Sequence, residues 1–326
     1  MAAEASRRRL PWGYILKRTL RSFGQASCID LAAGLTYFGV LSLFPAMIAL
    51  VSVLGLVGQS KAGINALFGM LDQLAPGMLT VVEAPIEALA KSPATGVALV
   101  IGIVGAVWSA SGYVGGFGRA LNRVYGVREG RPAFALRPVQ LGVTLASLVL
   151  ISIVAILLVV SGPILQALGD AIGVGDAAKT AWSILRWPVV VFALVLLVAL
   201  LYSATPNVKQ PRFRWLTPGA VVAIVLLGVA SALFAFYVAN FGHYDKTYGT
   251  LAGIIVFLLW IWIANVVLLL GAVLDAEIAR ARLILAGVEV EKGYELPLKS
   301  DKAIVKAQDA DAGDTLAVRE MRRKLR

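Results

Sequence analysis

The sequence predicts an all-α polytopic membrane protein with six transmembrane helices and both termini on the cytoplasmic side. Of its 326 residues, 59% are hydrophobic and only 15% charged, with a mean hydropathy of +0.82, whereas soluble domains carry roughly 25% charged residues. The charges are swept into short segments. Between them lie six runs of more than 20 uncharged residues, bounded by Asp30 and Lys61, Lys91 and Arg119, Arg137 and Asp170, Arg186 and Lys209, Arg214 and Asp245, and Lys246 and Asp275. A hydrocarbon core of about 30 Å needs about 20 helical residues, and backbone there must satisfy its own hydrogen bonds, which favours helices. Spans are therefore expected near 34–58, 94–117, 139–162, 188–205, 216–241 and 249–274. Lys and Arg set the orientation: 25 of the 30 fall with the two termini and the 118–138 and 206–215 loops, and 5 on the other side. The positive-inside rule makes the richer side cytoplasmic.

Taken in order, residues 1–33 form a basic cytoplasmic segment. Its Arg7, Arg8, Arg9, Lys17, Arg18 and Arg21 read as contacts to anionic lipid headgroups and as an insertion signal. The first apolar run begins after residue 30 and exceeds the core of a signal peptide, so it is expected to be retained as a span. Pro45 inside it removes one backbone hydrogen bond, which predicts a kink whose open carbonyl a hydroxyl such as Ser42 or a water must meet. In the outer loop 59–93, Ile64, Leu67, Phe68, Leu71 and Leu74 recur at helical spacing before Pro76-Gly77. An amphipathic helical pair follows, either lining an entrance or capping the bundle.

The second span carries Gly112, Gly115 and Gly116, with Gly118 just beyond, small residues suited to close helix contact. Arg119, Asn122 and Arg123 then lie at i, i+3 and i+4. They read either as a site for phosphate headgroups or as an ordinary positive-inside anchor. Pro163 and Pro206 end or bend the third and fourth spans, as hinges or as plain packing geometry. The turn before the last span gathers Asn240, His243, Tyr244, Asp245, Lys246 and Tyr248. His243 and Asp245 form a candidate proton-coupling pair, while the tyrosines, with Tyr237, fit an interfacial aromatic belt. Asn265, near Trp260 and Trp262 in the sixth span, must face the bundle or a cavity, since an amide in hydrocarbon is costly unless paired. Beyond Asp275 the chain is expected to continue as an amphipathic helix through about Ala286; the tail, 286–326, then loses periodicity around Asp309, Asp311 and Asp314 and is expected to be disordered. Its basic end, Arg319 to Arg326, is a membrane-surface segment or a solvated tail.

Composition also excludes. The net charge of +11 is accounted for by topology, so nucleic acid is not an expected partner. The single Cys28 precludes an internal disulfide. With one His, no thiol pair, and no Gly-x-Ser-x-Gly or phosphate-loop pattern, an enzyme is disfavoured and no cofactor or metal is expected. No internal repeat was found.

Asp30-Leu31-Ala32-Ala33-Gly34-Leu35-Thr36-Tyr37-Phe38 and Leu41-Ser42-Leu43-Phe44-Pro45 resemble the opening of the YihY/BrkB family of bacterial inner-membrane proteins. Arg119-Ala120-Leu121-Asn122-Arg123-Val124-Tyr125 resembles the loop after its second span. Tyr202 to Pro206 with Trp215-Leu216-Thr217-Pro218-Gly219, and Tyr248-Gly249-Thr250-Leu251-Ala252-Gly253 with Trp260 and Leu270-Gly271-Ala272, resemble its later segments. The resemblance covers about 14–285. It implies a multi-pass protein of the inner membrane. The family once carried a ribonuclease BN label, since withdrawn, and members are linked to serum resistance, cation/proton exchange or envelope lipid handling.

The expected function is transport or flipping of an envelope lipid or small polar solute. Membrane lipids, through anionic headgroups at the cytoplasmic face, are the expected partners, and a homo-oligomer is compatible with the sequence. An envelope scaffold and a cation/proton antiporter are the alternatives.

Overall fold

The computed structural model describes residues 11–57, 95–159, 176–209, 217–241, 251–288 and 297–325. The expected outer loop 59–93, Pro163, His243 and Asp245 lie outside the described residues. Eight helices are described: α1 (Trp12–Gln25), α2 (Cys28–Val57), α3 (Thr95–Val124), α4 (Ala133–Val159), α5 (Asp176–Ala204), α6 (Pro218–Phe241), α7 (Leu251–Leu285) and α8 (Lys302–Lys324). Among the described residues the only β contact is an isolated antiparallel bridge between Val208 and Leu298.

Four helices contain stretches long and apolar enough to cross a membrane: Ala133–Val154, Thr180–Ala204, Pro218–Val238 and Gly253–Leu285. Within α2 the stretch Cys28–Ser42 is likewise apolar. Their outward faces are apolar, as a lipid environment requires: Val149, Phe192, Val225, Leu233 and Phe236 are all exposed. Inside, α2, α3, α5 and α7 share one core that includes Leu35, Phe117, Leu121, Tyr202 and Leu269.

Two boundaries differ from expectation. α5 begins twelve residues before the expected 188, because the charge at Arg186 does not stop a helix; its guanidinium lies 5.2 Å from the Trp187 ring. α7 runs unbroken past Asp275 to Leu285, as the amphipathic continuation expected through about Ala286 requires. The tail expected to be disordered carries α8, in which no residue is buried. Good helix formers, chiefly Ala, Lys, Arg and Met, supply its propensity without an apolar stripe.

Two elements were not expected at all. α1 buries Ile15 against Ile278 and Ala281 of α7. Arg18 Nε lies 2.9 Å from the buried Glu277 Oε2, and Ser22 Oγ donates to Glu277 Oε1 at 2.5 Å. The second is a close crossing of α6 and α7. A Cβ added to Gly219 would lie 2.1 Å from the Gly271 carbonyl, and one on Gly271 would lie 2.5 Å from that of Gly219. Only hydrogen fits at either position.

Gly219→Ala or Gly271→Ala should therefore lower stability by about 1–3 kcal/mol, the usual cost of overpacking. Gly142→Ala and Gly228→Ala, where a Cβ meets nothing within 4 Å, should be neutral or stabilising by about 0.5–1 kcal/mol. Thermal unfolding in detergent micelles, read by tryptophan fluorescence, checks both.

Candidate functional site

The helix ends gather at one rim of the bundle. Arg123, at the end of α3, donates to Ser27 Oγ at the start of α2 (3.2 Å). Arg131, before α4, donates to the Ala204 and Thr205 carbonyls at the end of α5 (3.3 and 2.6 Å). Asp275, near the end of α7, accepts from the Thr217 hydroxyl and from Gly219 N–H (2.7 Å) at the start of α6. A carboxylate at a helix N-terminus and cations at a C-terminus both oppose the helix dipole.

A polar knot closes this rim. Glu129 accepts from Arg131 Nε at 2.8 Å and from Asn122 Nδ2 at 3.0 Å. Asn122 Oδ1 in turn accepts the Asn207 backbone N–H at 2.7 Å. The fully buried Asn207 donates from Nδ2 to the Arg128 and Ser300 carbonyls (3.1 and 2.8 Å) and accepts Ser300 N–H at Oδ1 (3.1 Å). Lys299 Nζ donates to the carbonyls of Ser203 (2.7 Å) and Ala204 (3.2 Å). Gly130 is obligatory here, for a Cβ would lie 2.0 Å from the Ser300 carbonyl. The segment before α8 is thus sewn into the bundle. Burial pushes the Glu129 carboxyl up, but the hydrogen bonds and charge of Arg131, with Asn122, outweigh it and hold it below the usual range. Burial, and then the Arg131 charge, bring Lys299 down to about 8.

Beside the knot, between α3, α4 and the end of α5, lies a cavity of about 150 Å³ lined by Arg119, Glu129, Arg131, Gln140, Thr205 and apolar residues including Val114, Leu136, Val139 and Val143. Glu129 and Arg131 neutralise each other. Arg119 has no carboxylate partner among the described residues; its guanidinium sits 5.8 Å from the Phe38 ring. Gly115 makes the room, since a Cβ there would lie 3.0 Å from Gln140 Nε2 and 3.5 Å from the Arg119 guanidinium. The glycines of α3 therefore divide. Gly112 and Gly116 face the Phe38 ring of α2, from which an added Cβ would lie 3.4 and 3.3 Å, whereas Gly115 opens toward α4.

The expected face of Arg119, Asn122 and Arg123 does not exist as one surface. Both arginines are exposed, but Asn122 is buried, because on a helix it points toward the α5 end rather than outward. Pro206 ends α5 in a buried turn and is not a hinge within it. α2 is helical through position 45, and Ser42 Oγ donates to the Gly39 carbonyl at 2.6 Å. Asn240 is exposed and donates to the Phe236 carbonyl at 2.8 Å. Asn265 is buried among helices: its Oδ1 accepts from Tyr113 OH at 2.7 Å and its Nδ2 donates to Thr36 Oγ1 at 3.2 Å, joining α2, α3 and α7. Among the described residues no three His, Cys, Asp or Glu side chains gather in a metal-sized cluster.

Sequence reasoning missed Glu129, Arg131, Asn207, Lys299, Asp275 and Glu277. Each lies outside or at the edge of an apolar run, where charge alone reads as solvated; only Asn207 beside Pro206 hinted at a cap.

Apolar membrane-length helices around satisfied polar nodes define an α-helical multi-pass membrane protein. Comparison narrows this: residues 19–289 match the family described as Virulence factor BrkB, and the chain belongs to it. It is 31% identical over 245 residues to the ribonuclease-like protein YfkH of Bacillus subtilis, a match covering 75% of this chain and 88% of that protein. It is 33% identical over 101 residues to a UPF0761 membrane protein of Idiomarina loihiensis (31% of this chain, 35% of that protein). A Pseudomonas aeruginosa UPF0761 membrane protein is 42% identical over 84 residues (26% of this chain, 20% of that protein). The chain thus aligns with about a third or less of the two UPF0761 relatives. No solved structure matches.

Asn207→Ala should unpin the tail, removing three bonds, of which a buried unmet group costs about 1–3 kcal/mol. Amide hydrogen exchange should then rise together in 126–131 and 297–301. The same protection has a pH signature. Unfolded Lys299 binds more protons than folded between about 8 and 10.5, so docking strengthens as pH rises across that window, whereas the Glu129 contribution is lost as pH falls below 4.5,. Lys299→Met should abolish the alkaline effect in pH-corrected exchange.

Proposed function

We propose that the chain is a six-span protein of the bacterial inner membrane, with both termini cytoplasmic, that receives the anionic headgroup of a membrane lipid in the Arg119 cavity and moves it between leaflets. The observation that carries this is the Arg119 guanidinium, without a carboxylate partner among the described residues, beside an apolar wall. A guanidinium matches phosphate geometry, and Val114, Leu136, Val139 and Val143 suit the chain that follows a headgroup. The topology is supported by the alternation of helix ends: α2, α4 and α6 start, and α3, α5 and α7 finish, at the rim. With the termini on that side, the basic excess of 25 against 13 carboxylates faces the cytoplasm, as the positive-inside rule requires.

In vesicles carrying a fluorescent anionic phospholipid, the reconstituted protein should speed its exchange between leaflets. Arg119→Ala should slow exchange about tenfold or more, as loss of a charge-assisted hydrogen bond implies. Arg137→Ala, removing a guanidinium 5.7 Å from the Trp108 ring outside the cavity lining, should leave it unchanged. Equal rates with and without protein would overturn the reading.

A second reading, an envelope scaffold, is favoured by α8, on which Leu316, Val318 and Met321 are all exposed. Deletion of 302–326, keeping the docked 297–301, separates the two: lipid exchange should survive, and a scaffold should fail.

A further inference from the structure

We infer that a hydrated polar track leaves the Arg119 cavity and enters the membrane along one face of α4, through Gln140, Thr144 and Ser147, admitting water and uncharged hydrogen-bonding groups. α4 lines the cavity with Leu136, Val139, Gln140 and Val143. Steps of three and four residues keep to one helix face, so Thr144 and Ser147 continue the row of Gln140 and Val143. Both are buried. Opposite them, Leu145, Val149 and Ile153 are exposed and apolar, as a lipid-facing side should be. α4 is thus amphipathic within an apolar stretch, with its polar side turned inward.

Ser147 is what makes the row more than packing. Six Ser and Thr residues are buried among the described residues: Thr19, Thr36, Ser111, Thr144, Ser147 and Thr205. Five donate to a carbonyl three or four residues back, at 2.7 to 2.9 Å, the ordinary refuge of a hydroxyl in a helix. Among the described residues Ser147 Oγ has no hydrogen-bond partner, although its residue is only 8% exposed. The Gln140 Oε1 atom, at the cavity, is likewise buried and unpartnered. Leaving such groups dry is costly, and a bound water with two to four partners removes that cost. At about 1.5 Å per residue, Ser147 lies about 12 Å along α4 from position 139, where the expected span starts, well inside a core about 30 Å thick.

The chemistry of the row names what it takes. Among the described residues the charged side chains lining the cavity are Arg119 and the Glu129–Arg131 pair, and α4 carries none from Pro138 to Val159, so a full charge would find no partner along this face of α4. Amide and hydroxyl groups offer what water or a hydroxylated headgroup can use. The track extends the cavity of the proposed function, yet its existence does not require lipid movement.

The test is thiol accessibility in membranes, with the native Cys28, fully buried, as background in the unsubstituted chain. N-ethylmaleimide reacts with the thiolate, which forms only where water reaches. Ser147→Cys and Gln140→Cys should be modified about tenfold or more faster than Val149→Cys and Ile153→Cys. A Ser147→Cys as inert as Val149→Cys would overturn the track. Should that variant not fold, hydroxyl-radical footprinting of the unsubstituted protein decides: water beside the track should oxidise Val143, which is 5% exposed, and an unoxidised Val143 overturns it. Fast labelling of Ser147→Cys with lipid exchange indifferent to Arg119→Ala would keep the track and remove the headgroup reading; the opposite pair would remove the track alone.

Discussion

The carbonyls that α5 leaves open at Ser203, Ala204 and Thr205 are met by two cations, Arg131 and Lys299, that arrive from the α3–α4 loop and from the tail. A helix ending near a membrane surface cannot leave its last carbonyls unpaired in a buried place. Pro206 ends α5 there, because it brings no N–H of its own and restricts the residue before it. The loop must then carry Glu129 to hold Arg131, and Asn207 must bridge loop and tail. Gly130 follows from the closeness of that bridge. One helix terminus thus dictates the conformation of three segments distant in sequence.

Deeper in the bundle the same rule operates on side chains. Asn265 is held by Tyr113 and Thr36, and the Tyr202 hydroxyl donates to the Leu268 carbonyl. Tyr113, Phe117 and Tyr202 stack in a column with centroids 6.2 Å apart. These contacts tie α2, α3, α5 and α7 where apolar packing alone distinguishes poorly between helix and lipid. The glycines set the distances: Gly112 and Gly116 admit Phe38, Gly219 and Gly271 bring two backbones together. Among the described residues, Gln140 Oε1 and Ser147 Oγ are buried atoms of α4 without a hydrogen-bond partner.

α1 shows how the bundle reaches the membrane surface. Ile15 and Thr19 turn inward, while Trp12, Leu16 and Leu20 remain exposed beside Lys17 and Arg21. An apolar face next to basic side chains suits the headgroup boundary. Glu277 fixes it there through Arg18. The basic residues that a count assigns to a side are in this way also given a depth.

The apolar runs, their lengths and the charge asymmetry are properties of composition along the chain, so the sequence by itself determined an all-α membrane protein, the approximate position of the apolar helices and the candidacy of Arg119 and Asn265. It also marked Gly112 and Gly116 as packing residues and Pro206 as a stop. It placed the start of α5 too late, because charge was read as a boundary, although Arg186 continues a helix and finds a ring partner; the helix expected beyond Asp275 through about Ala286 is the end of α7. α1 was legible in principle, from apolar residues at helical spacing between basic ones, but its charges outweighed its periodicity. The cavity, the split of Gly115 from its neighbours, the burial of Asn122 and the solitude of Ser147 were decided only by the tertiary structure. Each depends on which face of one helix meets which neighbour across up to 170 residues of sequence, as between Gly130 and Ser300, and hydropathy along a chain carries no record of that.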